Sequence, residues 1–492
     1  VIPVVTQPIA EHRMYLPLAA VLAAVVTAAS IAGRRLIERG TTFRILSRLV
    51  SSGALPIAGA CLMIGVSLGL GMVTFQRNRD YQNDVLIWQD TIAKAPGNDR
   101  AHDCLFQALT KHERFDEAIA ECQRVLALDP ENVCAACNLG LGLANREQFD
   151  EALAQCQKAV QLGPNSADTH NAYGRVLAKT DRFVEAIAEY QQTLKIRANF
   201  PWAHCNLGSA LAKCGRIDEA VDHFRQALRI NPGSAELYCS FGGALVDAGR
   251  IDEGVEHLRN ALDIQPDLAD ARNNLGNALA QQGRLESAIA EFTNALEIKP
   301  GFALAHNNLG LALAKASRID EATSHFQKAI ELRPGYDLAH YNLGSALRAG
   351  GRPKEAAACY RRAIEINPEN AEFRHNLGII LTQQGRVDEA IIEFLKALKI
   401  KPDYAEAHNN LGFAYSCQGR FDKAIGHYRK ALQIQPRHSR AQNNLGAALG
   451  QLGRFDEAIV HFQASLEIQP DYASARNNLA SARRQVASAS VR

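Results

Sequence analysis

An excess of either charge is missing from this sequence. Lys+Arg 54 against Asp+Glu 52 leaves a formal charge of +2, so electrostatics give no reason to expect nucleic acid as a main partner. A catalytic constellation is missing as well: no Ser-His-Asp order, phosphate-cradling glycine loop or zinc signature occurs. The chain is therefore expected to be no enzyme by itself, and to need neither cofactor nor metal. Disorder is excluded by an ordinary composition, 47% apolar and 22% charged. An even cysteine count is absent too. The eleven cysteines crowd toward the N-terminal half, with Cys359 and Cys417 far downstream, which suits free, partly buried thiols better than a short secreted disulfide framework. The first residue is Val, not Met, so a fragment or processed form is expected. At 492 residues the chain is too long for one compact core, which leaves several domains or a repeat array.

Two runs carry no charge at all, 16–33 and 53–75. Each is near the ~20 residues needed to cross a bilayer core, and a second run following the first argues against a signal peptide. Residues 1–78 are therefore expected to form a membrane segment with two transmembrane helices. Gly65 and Gly69 in the second run have the spacing that permits close helix contact in lipid. The loop between the runs holds Arg34, Arg35, Arg39, Arg44 and Arg48 against a single acid, Glu38. By the positive-inside rule that loop is cytoplasmic, so the remainder of the chain is expected to be exoplasmic, in a periplasm or lumen.

Beyond the membrane segment the sequence repeats every 34 residues. With each Leu-Gly pair at positions 7 and 8, repeats begin at 99, 133, 167, 201, 235, 269, 303, 337, 371, 405 and 439, and continue through Tyr472 without insertion or deletion. Stretches such as AHNNLGLALAKASRIDEATSHFQKAIELRPG and AHNNLGFAYSCQGRFDKAIGHYRKALQIQPR closely resemble the tetratricopeptide-repeat (TPR) family. The resemblance implies an all-α, right-handed superhelix of helical hairpins, A and B. Small residues at position 20 (Ala220, Ala288, Ala390) and glycine at position 8 (Gly208, Gly276, Gly310, Gly446) let the two helices approach. Aromatic residues at position 24 (Phe224, Phe292, Phe326, Tyr428) are expected to fill space between neighbouring hairpins. Glycine at position 15 can take the left-handed conformation that ends helix A. Proline at position 32 stops helix B. Aspartate at position 18 (Asp116, Asp218, Asp320, Asp456) is expected at a helix start, by capping and dipole. Residues 79–98 read as a half-repeat linking helix, with Trp88 at position 24 and Pro96 at position 32, and 473–492 as a capping helix and tail.

The A helices of a TPR superhelix line its groove. Position 6 carries Asn138, Asn206, Asn274, Asn308, Asn342, Asn376, Asn410, Asn444 and Asn478, with gaps at Cys104, Ala172 and Ser240. A carboxamide both donates and accepts, so such a column can pair with an extended peptide backbone without demanding a side-chain sequence. It resembles the asparagine ladder of O-linked N-acetylglucosamine transferases. The alternative is packing, since asparagine is frequent here in ordinary TPR sequences. If the column is open to a ligand, changing Asn308, Asn342 and Asn376 to alanine should leave stability nearly unchanged. Position 5 holds no lysine or arginine, which disfavours a carboxylate clamp. The position-4 histidines (His102, His170, His204, His306, His340, His408) sit on successive A helices, whose axes lie about 8–10 Å or more apart. They are not expected to converge on a metal. Cys134 and Cys137 have redox spacing but follow no strand, and read as packing thiols.

Before the first apolar run the chain reads PIAEHRMYLPLAAV. With Glu11, His12, Arg13, Tyr15 and Pro17 it resembles the end of the membrane region in transmembrane-and-TPR proteins of the O-mannosyltransferase-like (GT-C) type. That resemblance covers about residues 8–78 and implies the non-catalytic C-terminal part of a larger glycosyltransferase. The function expected is a membrane-anchored scaffold: it contacts the bilayer through two helices, binds protein or extended peptide in its groove, and presents substrate to such an enzyme. The alternative is an assembly adaptor of a membrane complex with no transferase link.

Overall fold

The computed structural model describes residues 84–489. Among them lie 24 helices and no strand. The apolar runs, the arginine loop and the segment resembling GT-C proteins fall outside the described residues. Among those described, no helix is long and apolar enough to cross a membrane.

The chain divides into two units, Val1–Arg146 and Glu147–Arg492. In the first, helix Asp84–Lys94 packs on Asp99–Lys111, and Phe115–Leu128 packs on Val133–Asn145. The second opens with helix Phe149–Leu162, runs through A–B hairpins from Ala167–Lys179 to Phe455–Ile468, and ends with Ala473–Ala489. It is an all-α repeat stack in which each hairpin packs on its neighbours.

Local chemistry explains the hairpin. A helices have 13 residues and B helices 14. Position 15 adopts positive φ in every turn: 77° at Gly215 and Gly283, but also 58° at Glu113, 63° at Glu147, 58° at Asp181 and 62° at Ser317. That reversal lets the next peptide N–H turn back and donate five residues behind it, as from Arg216 to the Leu211 carbonyl at 2.9 Å, which satisfies an orphan carbonyl of the helix end. Helix B starts at position 17, and its N-cap is the residue at position 16, Gln148 in the repeat at 133 and arginine in the others, with no side-chain cap bond. This corrects the capping expected of Asp116, Asp218, Asp320 and Asp456. They lie inside the first turn, where only their charge favours the helix end. Arg216 instead grips Glu219 through two bonds of 2.7 and 2.6 Å, an exposed pair that solvent screens.

The core explains the glycines. A Cβ on Gly276 would stand 2.7 Å from Phe292, one on Gly310 2.7 Å from Phe326, and one on Gly446 2.8 Å from Phe462. Each position-24 ring therefore seats on the position-8 glycine of its own hairpin, not only between hairpins as the repeat pattern suggested. Phe292, Phe326 and Phe462 are 1–3% exposed and belong to one apolar core running from Ala235 to Ala482. The repeat at 235 has Leu258 instead of a ring, and glycine at both positions 8 and 20. There a Cβ on Gly242 would lie 2.8 Å from the Gly254 carbonyl oxygen, so backbone approaches backbone.

Candidate peptide-binding face

The A-helix face carrying position 6 is built from two columns, not one. Each ladder asparagine directs its Nδ2 to the position-5 side chain of the preceding repeat. In the first unit Asn138 donates to Asp103 at 2.9 Å. In the second, Asn206 donates to Asn171 (3.1 Å), Asn308 to Asn273 (3.0 Å), Asn342 to Asn307 (2.9 Å), Asn444 to Asn409 (3.0 Å) and Asn478 to Asn443 (2.9 Å). Where position 5 is not a carboxamide the bond persists with another acceptor. Asn274 meets the Cys239 sulfur at 3.6 Å, Asn376 the Tyr341 hydroxyl at 3.2 Å, and Asn410 donates to His375 Nε2 at 2.8 Å. Position 5 is buried at Asn273, Asn307, His375, Asn409 and Asn443, with Asn273 and Asn409 only 1% exposed, whereas the ladder asparagines of position 6 are partly exposed.

Buried Asn273, Asn307, Asn409 and Asn443 also donate to the Oδ1 of the ladder asparagine next to them, at 3.1–3.4 Å. The amides thus zigzag from repeat to repeat. Asn376 spends its second N–H on the Glu372 carbonyl at 3.0 Å; the other ladder asparagines use one N–H for this network and at most one of two acceptor sites, which leaves a donor and an acceptor for a ligand. Packing and binding share the same side chain. Removing Asn308 would strand the buried Asn273 Oδ1, so the stability-neutral outcome expected for the Asn308, Asn342 and Asn376 changes does not fit this geometry. The sequence signal for the second column was present: position 5 is occupied throughout by groups able to accept a hydrogen bond, 35 residues before the next ladder asparagine.

His375 is the imidazole in the network. Its Nε2 accepts from Asn410, so the ring proton sits on Nδ1 and points to the Tyr404 hydroxyl at 3.1 Å. Burial pushes its pKa down to about 4, against the opposing pull of Glu406 and Glu372.

The face opens into a cavity of about 710 Å³ across the A helices Pro201–Lys213, Ala235–Asp247 and Ala269–Gln281. Ser240 interrupts the ladder there, and Gly243 offers no side chain. Ser209, Ser240, Asn274, Asn277 and Gln281 line it with hydroxyls and carboxamides. Lys213 and Asp247 neutralise each other at 2.7 Å on its wall. Ala212, Ala244, Val246 and Ala248 complete the lining, so the cavity is mixed polar and apolar and carries no net charge.

The position-4 histidines turn away from this face. Each Nε2 meets a backbone carbonyl six residues earlier, as His170 does Pro164 at 3.0 Å and His340 does Pro334 at 3.2 Å. In several repeats the other nitrogen meets position 23 of the same hairpin: Glu121 for His102 at 2.7 Å, Glu189 for His170 at 2.6 Å. Among the described residues no group of three or more His, Cys, Asp or Glu could hold a metal. Ten cysteines are described and none of them forms a disulfide; Cys137 is buried and Cys134 exposed near the start of one helix. Burial pushes the Cys122, Cys156 and Cys239 thiols up to about 12, which makes them poor nucleophiles.

Sequence profiles described as "Tetratricopeptide repeat" or "TPR repeat" match residues 105–167, 174–213, 201–234, 242–283, 276–317, 301–369, 341–405, 405–438 and 439–472. The chain belongs to the tetratricopeptide-repeat family. No curated protein matches it. Among solved structures, this TPR protein is similar to a chain of "Crystal structure of APC/C hetero-tetramer Cut9-Hcn1", at 15% identity and TM-score 0.44, over 83% of this chain and 94% of that one. It is also similar to "YrrB: a TPR protein with an unusual peptide-binding site", at 30% identity and TM-score 0.34, over 38% of this chain and 96% of that one. A TPR array is a scaffold for protein interaction.

Proposed function

We propose that the array binds an extended, neutral and polar peptide segment along its A-helix face, centred on the cavity over residues 201–281. The observation that carries this reading is the ladder itself: beside a cavity without net charge, Asn206, Asn274 and Asn308 each keep a donor and an acceptor after their packing bonds are made. Backbone amides of an extended peptide need that pairing, while Ser, Thr, Asn or Gln side chains suit the cavity wall. The absence of lysine or arginine from position 5 argues against a C-terminal carboxylate as the recognised group. The test is titration of the chain with such peptides, recovered by display against it. Ser209→Phe fills the cavity from its edge and should weaken binding roughly tenfold or more, about 1.4 kcal/mol, with an unchanged unfolding temperature. Undiminished affinity in that variant refutes the location.

The same reading makes the chain membrane-anchored, through residues 16–33 and 53–75, with the array on the exoplasmic side. The support is the length of the uncharged runs and the arginines between them. Similarity of residues 8–78 to GT-C proteins makes the peptide a substrate segment delivered to a membrane glycosyltransferase. The chain itself should transfer no sugar from nucleotide or lipid-linked donors. Turnover that survives rigorous purification would reverse that assignment.

A further inference from the structure

Three hairpins carry a distinct form of the contact between positions 4 and 23. Position 4 and position 23 are both histidine in the repeats at 201, 303 and 405. The Nδ1 atoms face each other at 3.0 Å between His204 and His223, 3.0 Å between His306 and His325, and 3.1 Å between His408 and His427. The rings keep one arrangement, with centroids 5.3–5.4 Å apart and planes inclined 25–29°. In each pair the position-4 Nε2 meets a backbone carbonyl, of Ala198, Pro300 or Pro402, at 3.1–3.2 Å. That nitrogen must carry the proton, which leaves the Nδ1 lone pair of the same ring aimed at its partner.

We infer that these pairs are three copies of a two-histidine chelate for a divalent late transition-metal ion, of the Ni²⁺, Cu²⁺ or Zn²⁺ class, with water completing the coordination. When the position-23 ring shifts its proton from Nδ1 to Nε2, two lone pairs converge from two helices and no net proton is lost. An ion about 2.0–2.1 Å from each nitrogen holds them roughly 2.9 Å apart in square geometry and 3.3 Å apart in tetrahedral geometry, so the separation already fits, and each ring tilts by roughly 35–45° to aim its lone pair at an ion lying off the line between the nitrogens. Imidazole suits these ions, and a backbone carbonyl on the far nitrogen is the customary outer partner that fixes a metal-bound ring. The position-23 rings are half-buried, which leaves room for coordinated water. Burial holds all six histidines below the ordinary imidazole range, so the lone pairs are available near neutral pH. Surroundings rank the sites. Asp222 adjoins His223, whereas Lys328 acts on His306 and Lys430 on His408, so the pair at 204 should fill first.

The experiment is equilibrium dialysis of the full, chelator-stripped and reduced chain against Ni²⁺ at pH 7.5, with thermal unfolding on the same samples. The comparison variant is His223→Gln/His325→Gln/His427→Gln. Glutamine is tolerated in this pairing, since Gln442 already bonds His461 at 2.7 Å, so the variant should fold. The wild type should take up three more ions per chain than the variant and gain unfolding temperature with Ni²⁺, while the variant gains none. His257→Gln, whose position-4 neighbour is Tyr238, should leave uptake unchanged. Equal uptake by wild type and triple variant, or no uptake by either, overturns the assignment.

Discussion

Acidification from pH 7.5 to 4.5 should loosen the repeat at 371 through a single side chain, His375. The ring is 7% exposed, and its Nε2 accepts from Asn410, so protonation there would set two N–H groups against each other. Its pKa in the folded chain is about 4, against about 6.5 unfolded. With the folded value depressed, both states are neutral above 6.5 and stability is full. As the pH falls below 6.5 the unfolded chain takes up a proton that the folded chain refuses, so stability drops until the folded value is reached. Each pKa unit is worth about 1.4 kcal/mol, which makes the full loss on the order of 3 kcal/mol, spread between pH 6.5 and 4. The control is His375→Asn. Asparagine occupies position 5 in neighbouring repeats, accepts from the next ladder residue and does not titrate. Repeat arrays unfold regionally, so the assay is hydrogen exchange of amides in Ala371–Gln383, converted to opening free energies across the pH range. Wild type and variant should agree at pH 7.5 and diverge steadily below 6.5, with the variant the more protected. Parallel curves would refute the claim that burial and the Asn410 bond keep this histidine neutral.

Asn308→Ala strands the Asn273 Oδ1 and should destabilise by about 1–2 kcal/mol, whereas Asn273→Ala/Asn308→Ala should cost less than the two single changes together; denaturant unfolding of the four proteins checks it, and strict additivity would break the zigzag. Gly276→Ala forces a Cβ to within 2.7 Å of the buried Phe292 ring and should cost about 1–3 kcal/mol by overpacking, seen as a lower unfolding midpoint; an unchanged midpoint means the ring has room. Ser317→Gly relieves a left-handed serine, φ 62°. The relief of about 1–2 kcal/mol exceeds glycine's extra chain entropy of about 0.4–1 kcal/mol, so the midpoint should rise. In sealed native membranes, protease added to the exoplasmic side should digest the array; digestion only from the cytoplasmic side reverses the orientation.

The hairpins were legible because their causes are local. Glycine at position 15, proline at position 32 and the small pair at positions 8 and 20 act within a single 34-residue repeat, so periodicity alone shows where chain direction changes and which faces meet. Even there, one local reading slipped: Asp218 looked like a cap, but the cap position is Arg216, two residues before it. Phe224 does bridge hairpins, stacking on Phe241 at 4.8 Å between centroids, and the sequence did not show that it also seats on Gly208. The membrane runs, by contrast, rest on sequence alone. What only the tertiary structure decided is how repeats couple. The sequence displays a column of asparagines, but Asn308 reaches Asn273 only because stacking brings position 6 of one A helix beside position 5 of the one before. His204 meets His223 only because a hairpin folds two helices against each other. Sidedness, burial and partner choice are properties of the stack, and a side chain that reads as a free ligand in one dimension is half committed to its neighbour in three.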